Sequence, residues 1–182
     1  MARYIGTSGD DRFEGSGYAW DYADGGAGND VMHGHDGNDT LKGGKHHDRL
    51  YGGGGHDILF GNEGRDVLDG GLGNDRPEGG ADADTYVWHL HGHGADTIVN
   101  YSSPEGDRFL IINNRPHEQG GAQAQADTQA DILEDISASL SNTGDIHLSH
   151  NGQHMITLEN PDLPVFTVQS SDDLFGIQFE FA

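Results

Sequence analysis

Apolar side chains recur along much of this chain at intervals of nine residues. From residue 25 to residue 87 the sequence divides into seven consecutive nine-residue units without an insertion. The eighth position of each unit stands between two variable positions and holds, in chain order, Met32, Leu41, Leu50, Leu59, Leu68, Pro77 and Tyr86. We therefore expect a strand of only three residues at the end of each unit. Because so short a strand cannot bury its apolar residue alone, it needs copies stacked beside it.

Glycine and aspartate hold the other regular positions of the unit. The first position is always glycine, at Gly25, Gly34, Gly43, Gly52, Gly61, Gly70 and Gly79. The sixth is always aspartate, at Asp30, Asp39, Asp48, Asp57, Asp66, Asp75 and Asp84. Glycines at the first, second and fourth positions permit positive φ and close approach of carbonyl groups. Two units would make one coil with a turn on each side, so turns two units apart would stack with their aspartates facing across a gap.

Looser copies of the unit flank the regular array. Residues 6–14 fit it with Asp11 at the sixth position, and residues 15–24 carry one extra residue near Asp21. After residue 87 the register jumps by three residues and is restored at Asp96, and residues 105–109 are a faint last echo. The repeat therefore extends at both ends beyond its regular part.

The charge balance of the chain opposes folding without a cation. Of 182 residues, 31 are acidic and nine basic, which gives a formal net charge of −22, and only 33% are hydrophobic. Low hydrophobicity with high net charge is typical of disorder, unless something cationic folds the chain. So few basic residues argue against nucleic acid or an anionic membrane surface as a partner.

Several kinds of site and segment are excluded directly. The chain has no cysteine, so it has neither disulfides nor thiolate metal ligands. No apolar run approaches the roughly 18 residues of a membrane span. The N-terminal residues lack the apolar core of a secretory signal peptide. This predicts a cytosolic protein, or one exported by a route that does not read the N-terminus.

The ligand type at the stacked turns indicates calcium. Ca²⁺ binds roughly six to eight carboxylate and carbonyl oxygens in flexible geometry, whereas Mg²⁺ demands a stricter octahedron. Softer metals prefer imidazole or thiolate. Two facing carboxylates surrounded by backbone carbonyls therefore predict a calcium site.

The unit G-G-x-G-x-D, with an apolar residue two places on, resembles the RTX (repeats-in-toxin) family of calcium-binding nonapeptide repeats. The resemblance is most specific over residues 25–87, and residues 80–111 are similar to the stretch that closes such arrays. It implies an all-β fold in which a right-handed parallel β-roll, with two nonapeptide units in each coil, spans residues 1–100. It further implies about five to eight bound Ca²⁺.

The resemblance also implies the ligands. Each ion would lie between the carbonyls of positions one and three of one turn, those of positions two and four of the turn two units on, and both sixth-position aspartates. One edge would use Gly25, Ala27 and Asp30 with Gly44, His46 and Asp48; Gly43, Lys45 and Asp48 with Asn62, Gly64 and Asp66; and Gly61, Glu63 and Asp66 with Gly80, Asp82 and Asp84. The other edge would use Gly34, Asp36 and Asp39 with Gly53, Gly55 and Asp57; and Gly52, Gly54 and Asp57 with Gly71, Gly73 and Asp75. Three end sites would pair Asp11 with Asp30, Asp21 with Asp39, and Asp75 with Asp96.

Five residues depart from the repeat. His46 and Asp82 replace the fourth-position glycine and would be strained if φ must be positive. His35 and Asn62 replace the second-position glycine, where asparagine is tolerated best. Pro77 stands at the buried apolar position without an N–H for a ladder, so we expect a local break or a sheet edge there.

The remainder, residues 101–182, predicts a non-repeat, β-rich cap on the open end of the roll. Residues 117–130 are polar and low in complexity, as in a linker. Alternating segments around Asn151-Gly152 predict a hairpin over residues 145–159. Residues 165–168 and the alternating residues 175–181 predict further strands. The final Glu180-Phe181-Ala182 is also compatible with the C-terminal export signal of type I-secreted proteins similar to this family.

Neither the histidines nor a known catalytic motif gives strong evidence of a further site. His89, His91 and His93 alternate and could share one face as zinc or nickel ligands, although spacer positions explain most of the 12 histidines. No G-x-S-x-G, H-E-x-x-H or P-loop occurs. We therefore expect no enzyme activity.

Three functions remain open. The first is a calcium-folded module at the C-terminal end of a secreted bacterial protein, exported by type I secretion machinery. The second is a polysaccharide-binding module, because the layout resembles the R-modules of alginate epimerases; Lys42 and Arg49 flank strands and could form a small basic strip. The third is a fragment of an adhesin or toxin.

Overall fold

The computed structural model describes residues 1–89, 94–112, 136–140, 145–150, 153–159, 166–170 and 176–181. The predicted linker (117–130) and the predicted hairpin turn Asn151–Gly152 lie outside the described residues. Within the described part, no helix is long and apolar enough to cross a membrane.

The strands of the roll alternate between two sheets. The first sheet contains, in spatial order, β1 (Arg3–Ile5), β3 (Tyr22–Ala27), β5 (Thr40–Lys45), β7 (Ile58–Glu63), β9 (Arg76–Ala81), β11 (Asp96–Val99), β15 (Gln153–Glu159), β14 (Ile146–His150) and β13 (Ile136–Leu140). The second contains β2 (Arg12–Glu14), β4 (Val31–Asp36), β6 (Arg49–Gly54), β8 (Val67–Leu72), β10 (Thr85–His89), β12 (Arg108–Ile112), β17 (Gly176–Phe181) and β16 (Phe166–Ser170). One turn of 3-10 helix spans Ser103–Glu105.

Neighbouring strands of the regular array run parallel and are offset by two repeat units. In the first sheet Tyr22 lies opposite Thr40, and Thr40 opposite Ile58. In the second sheet Val31 lies opposite Arg49. The predicted all-β parallel roll with two nonapeptide units per coil is therefore confirmed.

The predicted strand length of three residues is wrong. Each regular strand has six residues, because it continues from positions seven to nine through the first three positions of the next unit. The glycines keep ladder partners there, as in the pairs Gly26 with Gly44 and Gly44 with Asn62. Pairing with copies on both sides thus holds residues extended that would not form a strand alone.

The core of the roll is the column of eighth-position side chains. They are at most 1% exposed at Ala23, Met32, Leu41, Leu50, Leu59, Leu68 and Tyr86. Beyond Tyr86 the core continues through Tyr101 and Phe109, whose rings stack with centroids 4.8 Å apart. The nine-residue apolar period therefore predicted the core of the array.

Pro77 does not break its strand, contrary to the prediction. It is buried within β9 and lies opposite Leu59 of β7 in a complete ladder. On the other side of β9, however, the pairing with β11 is reduced to Val99 with Glu78. A missing N–H removes ladder hydrogen bonds on one side only, while the apolar ring still fills the core position.

Both sheets continue into the C-terminal part of the chain. Strand β15 extends the first sheet in parallel with β11, and β14 pairs antiparallel with β15, which confirms the predicted hairpin strands. Strand β17 pairs antiparallel with β12 in the second sheet. Leu148, Ile156 and Leu158 are fully buried in the same core cluster as the roll. The domain boundary at residue 100 remains a prediction, and both sheets cross it.

Candidate metal centre

Backbone conformation at the turns follows the repeat closely. The second- and fourth-position glycines of the regular units have positive φ. Where the repeat departs from glycine, the backbone keeps that conformation, with φ of 71° at His35, 81° at His46, 79° at Asn62 and 76° at Asp82. All four residues that replace a glycine therefore lie in the left-handed region, including His46 and Asp82, which were expected to be strained there. The turn geometry is imposed by the stack rather than by local preference.

The first-position glycines are needed for space rather than for φ. A Cβ placed on Gly25 would lie 2.1 Å from Oδ2 of Asp30 and 2.7 Å from the carbonyl oxygen of Gly43. The same Oδ2 contact recurs, at 2.1–2.4 Å, in all seven regular units. The carboxylate thus packs directly against the bare Cα of its own turn, next to a carbonyl oxygen of the next turn.

The sixth-position aspartates form two columns along the edges of the roll. In each column the backbone N–H of one aspartate donates a hydrogen bond of 2.7–2.9 Å to Oδ1 of the next. The first column contains Asp11, Asp30, Asp48, Asp66, Asp84 and Asp107. The second contains Asp21, Asp39, Asp57, Asp75 and Asp96. Every predicted aspartate pair is brought together.

Sequence reasoning missed Asp107 as a column member. It follows Asp84 by 23 residues, more than two repeat units, and its turn contains a 3-10 helix in place of the glycine pattern of the repeat. The only signal was the weak similarity of residues 105–109 to the repeat, which does not distinguish a column aspartate from a surface one. The preceding Gly106 has a φ of 97°, and a Cβ placed on it would lie 3.2 Å from the Cβ of Ala83.

One oxygen of each interior aspartate has no partner. Oδ2 is buried and accepts no hydrogen bond at Asp30, Asp39, Asp48, Asp57, Asp66, Asp75 and Asp84. Burying an ionised carboxylate oxygen without a donor is costly, so this arrangement calls for a cation. Seven such oxygens in register therefore fit a row of bound metal ions.

Burial raises the pKa of these carboxyl groups. It raises the pKa of Asp48 and Asp57 to about 7 and that of Asp84 to about 8, from an ordinary 3.8. The backbone hydrogen bond within the column lowers each pKa, and the aspartates above and below raise it further. Mutual repulsion along the column thus adds to desolvation, and divalent cations between the turns would relieve both.

Backbone carbonyl oxygens line the same gaps, but in the reverse of the predicted order. Those of positions two and four in the earlier turn face those of positions one and three in the later turn. Second- and fourth-position carbonyl oxygens point along the column, and the carbonyl oxygens of Gly37 and His35 lie 1.6 and 2.2 Å from an ideal Cβ on Gly55 and Gly53. The third-position carbonyls of Lys45 and Gly54 each accept one backbone hydrogen bond. Since a carbonyl oxygen has two lone pairs, these atoms retain acceptor capacity.

The donor set fits an oxygen-only cation. Among the described residues, no group of three or more His, Cys, Asp or Glu side chains converges as a metal site. A site built from two carboxylates and several carbonyls needs no such group and matches the preference of Ca²⁺. The assignment of individual ligands stays a prediction.

Histidines that were expected to be spacers support the turns. Nδ1 of His47 accepts the backbone N–H of Arg65 at 2.9 Å, and Nδ1 of His56 accepts that of Asn74 at 3.0 Å. Asn38 accepts the N–H of His56 in the same way. His91 and His93 of the predicted alternating cluster lie outside the described residues.

Comparison with known proteins agrees with this site. Residues 5–86 match the family described as RTX calcium-binding nonapeptide repeat, in the overlapping segments 5–41, 17–50, 24–59, 42–77 and 51–86. A comparison with curated proteins gave no significant match. Among solved structures, the extracellular lipase LipA from Serratia marcescens matches with 15% identity and a TM-score of 0.34 over 87% of this chain and 38% of that one. This chain therefore spans less than half of that lipase. Residues 5–86, somewhat less than half of the chain, therefore match the RTX calcium-binding nonapeptide repeat.

Proposed function

We propose that the chain is a non-catalytic module that folds when several Ca²⁺ bind outside the cell, as the C-terminal part of a type I-secreted protein. The observation that carries this proposal is the register of seven buried, unpartnered Oδ2 atoms. A chain with net charge −22 gains little from folding while these carboxylates are uncompensated.

Calcium would contribute divalent positive charge between stacked turns. Five ions would reduce the formal charge from −22 to about −12. Because the ion binds the folded stack and not the extended chain, its binding free energy is folding free energy. The chain would then stay unfolded in a low-calcium cytosol, cross an exporter as an extended polypeptide, and fold in a calcium-rich exterior.

The test is circular dichroism of the full chain during a calcium titration, with Mg²⁺ at equal concentration as the control. We expect a cooperative coil-to-β transition with calcium alone. A spectrum that is already β-rich after removal of calcium, or one that calcium leaves unchanged, would overturn calcium-driven folding. Equal responses to both ions would overturn the calcium preference.

A second candidate function is the binding of an anionic polysaccharide. One observation favours it: on the outer face of the first sheet, Nζ of Lys42 lies 5.7 Å from the ring centroids of both Tyr22 and Phe60. Arg3 lies 5.8 Å from the Tyr22 centroid. Half-buried rings alternating with cations could stack on sugar rings and pair with uronate carboxylates.

Retention of the calcium-loaded chain by a uronate polymer in affinity electrophoresis tests this candidate. Lys42→Ala should weaken retention, whereas Lys45→Ala should not, because Lys45 lies away from the rings and pairs with Glu63. Equal retention of both variants would contradict binding of the polymer through Lys42 and the neighbouring rings.

A further inference from the structure

The column aspartates fall into two classes by the state of Oδ2. In the seven interior aspartates Oδ2 is buried without a partner. At the four column ends, Asp11, Asp21, Asp96 and Asp107, no carboxylate oxygen that is buried without a partner occurs among the described residues. An interior aspartate both donates and accepts a hydrogen bond along its column, whereas an aspartate at a column end does only one of the two.

At the N-terminal ends, a backbone N–H and a hydroxyl group satisfy the carboxylate. Oδ2 of Asp11 accepts from the Thr7 N–H at 2.6 Å and the Thr7 hydroxyl at 3.0 Å. Oδ2 of Asp21 accepts from the Ser16 N–H at 2.6 Å and the Ser16 hydroxyl at 2.8 Å. Two turns of different length thus present the same pair of donors to the same oxygen.

At the C-terminal ends, other donors serve the same purpose. Oδ2 of Asp107 accepts from the Ser102 N–H at 2.9 Å. The Trp88 side chain lies beside the Asp96 carboxylate and lowers its pKa, and no oxygen of Asp96 is buried without a partner. Hydrogen bonds to a carboxylate are charge-assisted and roughly twice as strong as neutral ones. A cation would have to displace these donors or leave them unpaired.

We propose that Ca²⁺ fills only the gaps in which both flanking aspartates have an unpartnered Oδ2, and that protein donors replace the ion at every column end. The columns contain nine gaps in all. Five of them meet the condition, namely Asp30–Asp48, Asp48–Asp66, Asp66–Asp84, Asp39–Asp57 and Asp57–Asp75. The donors at the ends thus set the length of each ion row. This inference rests on the proposed calcium binding.

The position of an aspartate in its column predicts how many ions its removal costs. Asp57 and Asp48 each flank two of the five gaps, Asp39 and Asp30 flank one, and Asp21, Asp11 and Asp107 flank none. Replacement by asparagine removes the charge while keeping the size and the Oδ1 acceptor. A matched series within one column is therefore given by Asp57→Asn, Asp39→Asn and Asp21→Asn.

The experiment counts calcium bound to the full chain by flow dialysis, confirmed by native mass spectrometry. We expect five ions for the unaltered chain, three for Asp57→Asn, four for Asp39→Asn and five for Asp21→Asn and Asp107→Asn. Eight or nine ions on the unaltered chain, or loss of an ion from Asp21→Asn, would overturn the proposal. No calcium binding at all would instead overturn the proposed function. If Asp57→Asn fails to fold, the comparison of Asp39→Asn with Asp21→Asn still shows whether an interior gap holds an ion and a column end does not.

Discussion

At the scale of single residues, each invariant residue of the repeat contributes both to the stacking of the turns and to the ion site. The sixth-position aspartate uses Oδ1 to accept the backbone N–H of the aspartate one coil earlier and leaves Oδ2 for a cation. The first-position glycine makes room for that carboxylate, and the fourth-position glycine adopts positive φ where a neighbouring carbonyl approaches. Losing either residue would therefore disturb both the stack and the ion site.

Gly55 provides a sharp test of this steric requirement. Its φ is 136°, and a Cβ would lie 1.6 Å from the carbonyl oxygen of Gly37. Gly55→Ala should destabilise the calcium-loaded roll by more than about 1 kcal/mol, because alanine is strained at positive φ. Urea unfolding at saturating calcium measures the loss.

The neighbouring glycine is the matched control. Gly54 has no positive φ, and its ideal Cβ meets only Oδ1 of the exposed Asp36 at 3.2 Å. Gly54→Ala should change stability by no more than about 0.5 kcal/mol. Similar losses for both variants would show that close approach of the stacked turns is not what selects glycine.

At the scale of elements, the stacking of coils decides which residues belong to each strand, which the sequence alone leaves ambiguous. Glycine-rich positions one to three join the strands because ladder partners lie on both sides. Pro77 joins its strand because β7 pairs fully with it, yet β11 on the other side is held by one bridge. The weakest parallel pairing of the roll thus coincides with the passage from the array to the C-terminal strands.

Restoring the missing N–H should strengthen that pairing. In Pro77→Leu the new side chain would match Leu59 and Leu68 in the same core column, and the N–H could donate to β11. We expect stabilisation of about 1 kcal/mol and slower hydrogen exchange of the β11 amides. Pro77→Ala, which restores the N–H without the larger side chain, separates hydrogen bonding from packing. Unchanged exchange in β11 for both variants would contradict this role of Pro77.

At the scale of the whole molecule, proton and calcium compete for the same carboxylates. Burial raises the pKa of Asp48, Asp57 and Asp96 to about 7 and that of Asp66 to about 6, from 3.8. The calcium-free roll therefore holds protons more tightly than the unfolded chain does. By linkage, the stability from this source is fully present below about pH 4 and is lost as pH rises through about 6 to 8.

The calcium-free chain should accordingly gain β-structure on acidification from pH 8 to pH 5. Calcium binding should show the opposite dependence, with affinity falling as pH falls and with protons released on binding near pH 5, where the calcium-free roll is folded and protonated. Circular dichroism of the dialysed chain measures the first effect, and calorimetry in two buffers of different ionisation enthalpy measures the second. Calcium binding without proton release at pH 5, under conditions where circular dichroism shows the calcium-free roll, would show that the aspartates are already ionised in the folded stack.

The nine-residue period by itself determined the parallel roll, the core column, the positive-φ positions and the oxygen character of the metal site. These features could be predicted because each unit repeats the same local constraints, and a coil of two units brings equal positions together. The four residues that replace a turn glycine illustrate this, since each adopts the positive φ of the glycines in the same register: His35, His46, Asn62 and Asp82.

Only the tertiary structure decided how each aspartate divides its two oxygens and where the columns end. Oδ1 is used by an N–H from a turn at least two units away, and the donors at the ends come from irregular turns such as those of Ser16 and Ser102. The place of Asp107 depends on a 23-residue excursion that no period describes. Hydrogen-bond satisfaction of a buried group depends on which donors packing brings within reach, and spacing along the chain does not specify that.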